Sequence, residues 1–222
     1  MSVAYTVRRS SRARYVRLRM ERDGELEVVL PEGATEADAE RAVRELAPWV
    51  ERRRARLEAA RRELAVEPGT VPLLDERLRI VVEPERSRVA REGDELLVPV
   101  GPKAGAAVER WFRRQARSQA GSRLQHAAAS FGATPGPLSI RDQRSRWGSC
   151  ASSGAISLNW RLVLAPSEVF EYVIWHEACH LVVADHSPRF WSLLESRLPG
   201  YREPRAWLRS FGTALSLPPL PW

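Results

Sequence analysis

A short segment of the chain carries three of its four histidines together with an acidic residue. It reads His176-Glu177-Ala178-Cys179-His180, and His186 follows. In an α-helix, residues i and i+4 lie on one face, so the first two imidazoles point to the same place. Apolar neighbours put this face in the interior, where a shared metal ion would satisfy two imidazoles that are otherwise costly to bury. The spacing therefore predicts a metal site.

His186 is the expected third ligand. Ser187-Pro188 is typical of the cap and first residue of a new helix, so the chain must turn near Ala184-Asp185 and can return His186 toward the first pair. Three imidazoles leave one position of a tetrahedral zinc open for water, as in catalytic zinc sites. We expect one Zn²⁺ per chain, with Glu177 taking a proton from zinc-bound water that attacks an electrophilic centre.

Hydrophobic periodicity predicts the elements that come before the histidines. Alternation to about residue 31 indicates two or three antiparallel strands, with Asp23-Gly24 as a hairpin turn. A helical period then runs from its N-cap, Thr35, to about residue 64. Strands are expected again within residues 78–100, and a long amphipathic helix within residues 106–128.

The region around the histidines begins near residue 138. A short strand is predicted at residues 138–140 and another over residues 156–164, and a helix that starts at Pro166 carries the first two histidines. Gly101-Pro102 is the expected domain boundary. The fold class predicted is α+β: a β-rich N-terminal region with one long helix (1–101), then a metallohydrolase domain (102–222).

Several motifs of the second half resemble the YgjP-like zinc metallopeptidases, which are relatives of the SprT-like domains. They are RSRWGSC (144–150), ISLNWRLV (156–163), HEACH (176–180), HS (186–187), FW (190–191) and LPGY (198–201). The resemblance is specific over about residues 140–212. It implies a zincin-like catalytic domain with His176, His180 and His186 as zinc ligands and Glu177 as general base. Asp185 stands where the family usually has asparagine, a residue that tolerates similar turn conformations.

The resemblance favours hydrolysis of a peptide bond in a peptide or protein substrate, but two alternatives stay open. Some relatives are described as nucleoside triphosphate pyrophosphatases, a UTP-type activity that zinc-activated water also suits. The second alternative is a DNA-associated SprT-like protease, in which the arginines of residues 8–19 dock on phosphates. The chain has 35 Lys+Arg and 28 Asp+Glu, a net charge of +7, with the signs mixed along both halves. Nucleic-acid binding is therefore not favoured.

Four residues near the histidine motif are candidate substrate ligands. Arg144 and Arg146 could clamp a phosphate or a carboxylate, or support their own loop. Asn159 could bond substrate main chain or be an outward strand residue, and Tyr201 could donate to a developing oxyanion.

The composition indicates the compartment. Two cysteines cannot form a disulfide framework, and no apolar run reaches membrane-spanning length or follows the N-terminal arginines. We expect a cytoplasmic protein without a membrane partner, and no pattern in the sequence specifies its oligomeric state.

Overall fold

The structure is a computed structural model that describes residues 4–21 and 24–220. Helices and short sheets alternate along the chain, which confirms the predicted α+β class. The chain divides into two compact units, Met1–Ala65 and Val66–Trp222. The units thus separate well before the predicted boundary at Gly101-Pro102. No helix within the described ranges is long and apolar enough to cross a membrane.

The first unit contains a three-stranded sheet. Its strands, in the spatial order β1-β3-β2, are β1 (Thr6–Arg9), β2 (Arg17–Met20) and β3 (Leu26–Leu30). β2 and β3 form the predicted antiparallel hairpin, in which Gly24 has φ +93°, while Asp23 lies outside the described residues. β1, in contrast, runs parallel to β3, because the chain crosses to the other side of β3 before β2 begins.

Two helices replace the single long helix predicted after this sheet. They are α1 (Glu36–Glu45) and α2 (Ala47–Glu63). Thr35 caps α1 in a capping box with Asp38, as predicted. The helix is interrupted at Leu46, because Pro48 belongs in a first helical turn, where its missing N–H costs nothing.

The second unit begins with a four-stranded sheet. Its strands, in the order β4-β5-β7-β6, are β4 (Thr70–Leu73), β5 (Glu76–Val82), β6 (Ala90–Glu92) and β7 (Glu95–Val98). The β4–β5 turn is tied to later parts of the unit: Leu74 N donates to Val163 O, and Ser167 N donates to Asp75 Oδ1 at 2.8 Å. These contacts join the sheet to the histidine-bearing part of the chain, which explains why the predicted boundary does not separate them.

A long helix and a second sheet follow. The helix α3 (Ala104–Ser130) is as predicted. The sheet has the order β8-β10-β9, with β8 (Leu138–Arg141), β9 (Gly148–Cys150) and β10 (Ile156–Asn159). The strand predicted over residues 156–164 stops at Asn159, whose side chain accepts from Arg161 N and starts a 3₁₀ helix, Trp160–Leu164.

Three further helices complete the unit. They are α4 (Ser167–Cys179), α5 (Pro188–Arg197) and α6 (Arg202–Phe211). The buried residues of α4 include Val169, Val173 and Ile174, and α4 contacts α3, α5, α6 and β9. A helix that is enclosed on several sides has little freedom to shift, so it is a rigid base for side chains that must meet precisely.

Candidate metal centre

The last turn of α4 and the loop after it carry the three histidines. His176 lies in that last turn and His180 is the C-cap residue. The chain then turns, and α5 begins at Pro188 after Ser187, as predicted. Two hydrogen bonds hold the returning loop: Ser187 N donates to Asp185 Oδ1 at 3.2 Å, and Trp191 Nε1 donates to His186 O at 3.0 Å.

The three imidazoles converge on one point. His186 Nε2 lies 2.9 Å from His176 Nε2 and 3.2 Å from His180 Nε2. One ring nitrogen from each residue falls within 4.8 Å of the other two. Nitrogen ligands at 2.0–2.1 Å from one tetrahedral ion lie about 3.3 Å apart, so this separation fits a shared metal.

The protonation states also suit metal binding. His180 Nδ1 lies 3.0 Å from Val183 O, and because a carbonyl only accepts, the hydrogen is on Nδ1 and the Nε2 lone pair is free. Burial lowers the pKa of His176 to about 3, with the charges of His180 and His186 adding to the effect. Burial likewise lowers the pKa of His186. Neutral imidazoles present lone pairs rather than hydrogens to a cation.

Glu177 lies beside the histidines and is only 5% exposed. A Cβ atom on Gly148 would fall 2.4 Å from Glu177 Oε1 and 2.6 Å from its Cγ, so the β9 backbone lies directly against this side chain. Burial raises the pKa of Glu177 to about 8, and the charge of Arg146 opposes the shift. A carboxyl group tuned toward neutral pH is suited to accept and return a proton.

These residues open onto a cleft of about 420 Å³. One wall comes from α4 and the histidine loop, and the opposite wall comes from β9 and the residues before it. The lining residues are Arg146, Trp147, Gly148, Ser149, Cys150, Tyr172, Val173, His176, Glu177, His180, Ala184, His186 and Leu208. The cleft therefore brings the predicted ligands, the predicted base and one predicted arginine together.

The other candidate substrate ligands lie elsewhere. Arg144 is exposed and does not line the described cleft. Asn159 is fully buried, and its amide is engaged on both sides, donating to Gln143 O at 2.8 Å and accepting from Arg161 N at 3.1 Å. Tyr201 is 3% exposed and is packed between the rings of Tyr172 and Trp191. Asn159 and Tyr201 thus serve the packing of the unit.

Two features of the site were missed at the level of sequence. Tyr172 lines the cleft, with its ring centroid 5.7 Å from that of His176. Its position four residues before His176 puts it on the ligand face of the helix, which is a signal that the sequence contained. Burial raises the pKa of Tyr172 to about 12. The contact between Gly148 and Glu177 joins distant segments and had no local signal.

A helix with two histidines one turn apart, a third histidine returned by the next loop and a glutamate beside them defines the class of metallohydrolases. The metallopeptidase-domain model of the YgjP-like family matches residues 14–211, and the chain belongs to this family of metal-dependent peptidases. The crystal structure of the metallopeptidase zymogen abylysin from Pyrococcus abyssi is similar at 23% identity and a TM-score of 0.38. That similarity covers 42% of this chain and 95% of abylysin. The comparison with curated proteins gives no match.

Proposed function

We propose that this protein is a zinc-dependent peptidase in which His176, His180 and His186 hold one Zn²⁺ per chain and Glu177 is the general base. The observation that carries the proposal is the convergence of three imidazoles on one point beside a buried glutamate. Three nitrogen ligands with an open fourth position suit catalytic zinc. When bound, such an ion lowers the pKa of a coordinated water and polarises a carbonyl.

Glu177 moves the proton. It accepts a proton from the attacking water while the water oxygen bonds to the carbonyl carbon and the π pair moves to the carbonyl oxygen. Glu177 then gives this proton to the amide nitrogen, the C–N bond breaks with its pair on nitrogen, and a carboxylic acid and an amine leave. Its position suits this double role, because the carboxylate is buried beside the three histidines and held against the β9 backbone.

The free edge of β9 supports an extended peptide as the substrate. β9 is at the edge of its sheet and pairs antiparallel with β10. Trp147 O accepts from Asn159 N, and Ala151 N donates to Ala155 O, so these residues face β10. Main-chain groups alternate in direction along an antiparallel strand, so those of Gly148 and Cys150 face the free edge. A peptide pairing there would add a strand along the cleft wall.

The position of Arg146 favours the nucleotide alternative. It lines the cleft, is exposed, and makes no ion pair with the described residues, so it is available to an anionic group. The DNA alternative gains less, because Arg8 bonds Glu27 through two nitrogens and Arg9 donates to Glu32 O and Ala34 O. We therefore propose a peptide as the substrate, and the test that follows distinguishes it from a nucleotide.

The test compares the native protein with Glu177→Gln, which keeps the shape of the side chain and removes the base. Both proteins are assayed with an unfolded protein substrate and with nucleoside triphosphates, after metal analysis. We expect one zinc per chain in both and peptide cleavage in the native protein alone. Pyrophosphate release that is lost in Glu177→Gln, without peptide cleavage, would replace the peptidase by the nucleotide hydrolase. Full activity after complete metal removal would refute the zinc proposal.

A further inference from the structure

Tyr172 lines the cleft, and no described protein group uses its hydroxyl. The side chain is 6% exposed and lines the cleft wall formed by α4. Its hydroxyl makes no hydrogen bond with any residue in the described ranges. A tyrosine hydroxyl that makes no hydrogen bond within the protein is left to water or to a bound ligand. An unused donor on a residue that lines the cleft is therefore a place for a ligand acceptor.

The ring of Tyr172 is held in one orientation. It stacks on Tyr201, with centroids 6.4 Å apart and an angle of 13° between the rings, and Tyr201 stacks on Trp191 at 5.5 Å and 14°. The Tyr172 ring also packs edge-on against the ring of His176, with an angle of 60° between the two ring planes. A donor fixed by packing before the reaction needs no reorganisation when charge develops, which is the condition for strong electrostatic catalysis.

A positive charge, that of Arg205, acts on Tyr172. The guanidinium of Arg205, on α6, is 4.2 Å from the ring centroid of Trp191 and is half-buried. It makes no ion pair with the residues that the structure describes, and its charge acts on Tyr172, His176 and His186. A half-buried cation without a counter-ion favours an anion nearby.

We propose that Tyr172 donates its hydroxyl hydrogen bond to the oxygen of the scissile carbonyl as that oxygen becomes an oxyanion, which rests on the peptidase function proposed above. When water bonds to the carbonyl carbon, the π pair moves to the oxygen, and Tyr172 bonds this oxygen while keeping its own proton. When the C–N bond breaks, the pair returns to the carbonyl. The charge of Arg205, which acts on Tyr172, also favours the developing anion.

The test compares Tyr172→Phe with Tyr201→Phe. Each variant removes one hydroxyl from the same ring stack and keeps the ring, but only Tyr172 lines the cleft. For Tyr172→Phe we expect kcat to fall about 10²–10³-fold with little change in KM, as for other lost oxyanion donors. Tyr201→Phe should keep its kcat within about twofold, since Tyr201 does not line the described cleft. Zinc content and melting temperature should match the native protein in both.

A binding measurement decides the proposal without turnover. Calorimetry measures the binding of a peptide phosphonamidate, an analogue of the tetrahedral oxyanion. The zinc-loaded Tyr172→Phe variant should bind it more weakly than the native protein does, by the same factor by which its kcat falls. Equal analogue affinity in Tyr172→Phe and the native protein overturns the proposal, and so do equal losses in the two variants or an analogue that the native protein does not bind. The proposed peptidase function itself is tested separately: it fails if neither the native protein nor Glu177→Gln cleaves a peptide.

Discussion

The two walls of the cleft are built in different ways. The α4 wall holds its functional groups within one turn of helix and the following loop, from His176 to His186. The β9 wall comes from a separate part of the chain and is positioned by pairing with β10 and by the contact of Gly148 with Glu177. Local helix geometry thus places the metal ligands, while long-range packing places the surface along which we propose that the substrate lies.

The walls also differ in burial. Glu177 and Tyr172 on the helix wall are almost inaccessible, and burial shifts the pKa of each. Arg146 on the strand wall is exposed, so water and salt screen its charge. Interactions of buried polar groups are strong and costly to disturb, whereas exposed charges contribute little. Substitutions in the α4 wall (the helix wall) should therefore have large effects on function, and substitutions in the β9 wall (the strand wall) should have graded effects.

The largest effect is expected from His186→Ala, which removes one ligand of the helix wall. Losing a residue that only supports a metal ligand costs about 10–100-fold in metal affinity, so the loss of a ligand should cost more than about 100-fold. Titration of the metal-free protein, prepared with a chelator, with Zn²⁺ measures this loss of affinity. Saturating Zn²⁺ should also raise the melting temperature of the native protein far more than that of the variant. Unchanged zinc affinity would remove His186 from the ligand set.

Gly148→Ala should have the next largest effect, because it tests the contact between the walls. The new methyl group would collide with Glu177 Oε1 and force the carboxylate to move. A displacement of about 1 Å at a reacting group can cost about 100-fold in rate, so we expect that loss in kcat with normal zinc content.

Gly121→Ala is the matched control for this substitution. Gly121 lies in α3, and a Cβ there meets nothing within 4 Å. This variant should keep full activity and gain up to about 1 kcal/mol of stability, because alanine favours helix. Equal activity in the two variants would show that Glu177 does not need its position against β9.

Arg146→Ala should have a smaller effect, confined to the strand wall. Removing an exposed cation that lines the cleft should lower kcat/KM about tenfold at low salt for substrates with acidic side chains, and less at high salt. Arg146→Lys should recover part of the loss. Arg144→Ala is the control, since Arg144 is exposed but does not line the described cleft. Equal losses at both positions would assign the effect to net charge.

The smallest effect is expected from Asp75→Ala, which removes the support of α4 by the β4–β5 turn. Asp75 accepts from Ser167 N, and hydrogen bonds with the side chain and the backbone of Ser167 lower its pKa from the ordinary 3.8. Loss of a helix-terminal acceptor costs about 1 kcal/mol of unfolding free energy. Because the folded pKa is lowered, the native advantage is complete above about pH 4 and disappears as pH falls through the folded pKa.

Denaturant unfolding at pH 7 and pH 3 measures this difference. Glu85→Ala, at an exposed carboxylate for which the described residues provide no partner, should change the unfolding free energy by less than about 0.5 kcal/mol at either pH. A gap between native protein and Asp75→Ala that grows as pH falls would contradict the role of the ionised carboxylate.

Local patterns in the sequence were enough for several parts of the protein. The helical period predicted α3 and α4, Thr35 and Asp38 predicted the start of α1, and Ser187-Pro188 predicted the turn that returns His186. These features depend on neighbours within about one helical turn, which is the range over which spacing carries information. Tyr172 lies within the same range, and its position one turn before His176 indicates that it shares the helix face of the predicted ligands.

Other parts depended on contacts between distant residues. Asn159 fits an outward strand position by alternation, yet the loop before β9 uses its amide in the interior. Tyr201 has the right chemistry for an oxyanion, but its ring is packed between those of Tyr172 and Trp191 and does not line the described cleft. The sheet β4–β7 reads as part of the first half, but its bonds to Val163 and Ser167 join it to the part of the chain that carries the histidines.

The sequence by itself therefore determined that His176 and His180 share one face of a helix, because a period of 3.6 residues places them together without help from the rest of the chain. Tertiary structure alone decided that Arg146 rather than Arg144 lines the cleft, that Tyr201 is packed between two rings, and that β9 presses against Glu177. Those choices depend on strand register and on packing between segments far apart in the chain, and neither is encoded in local spacing.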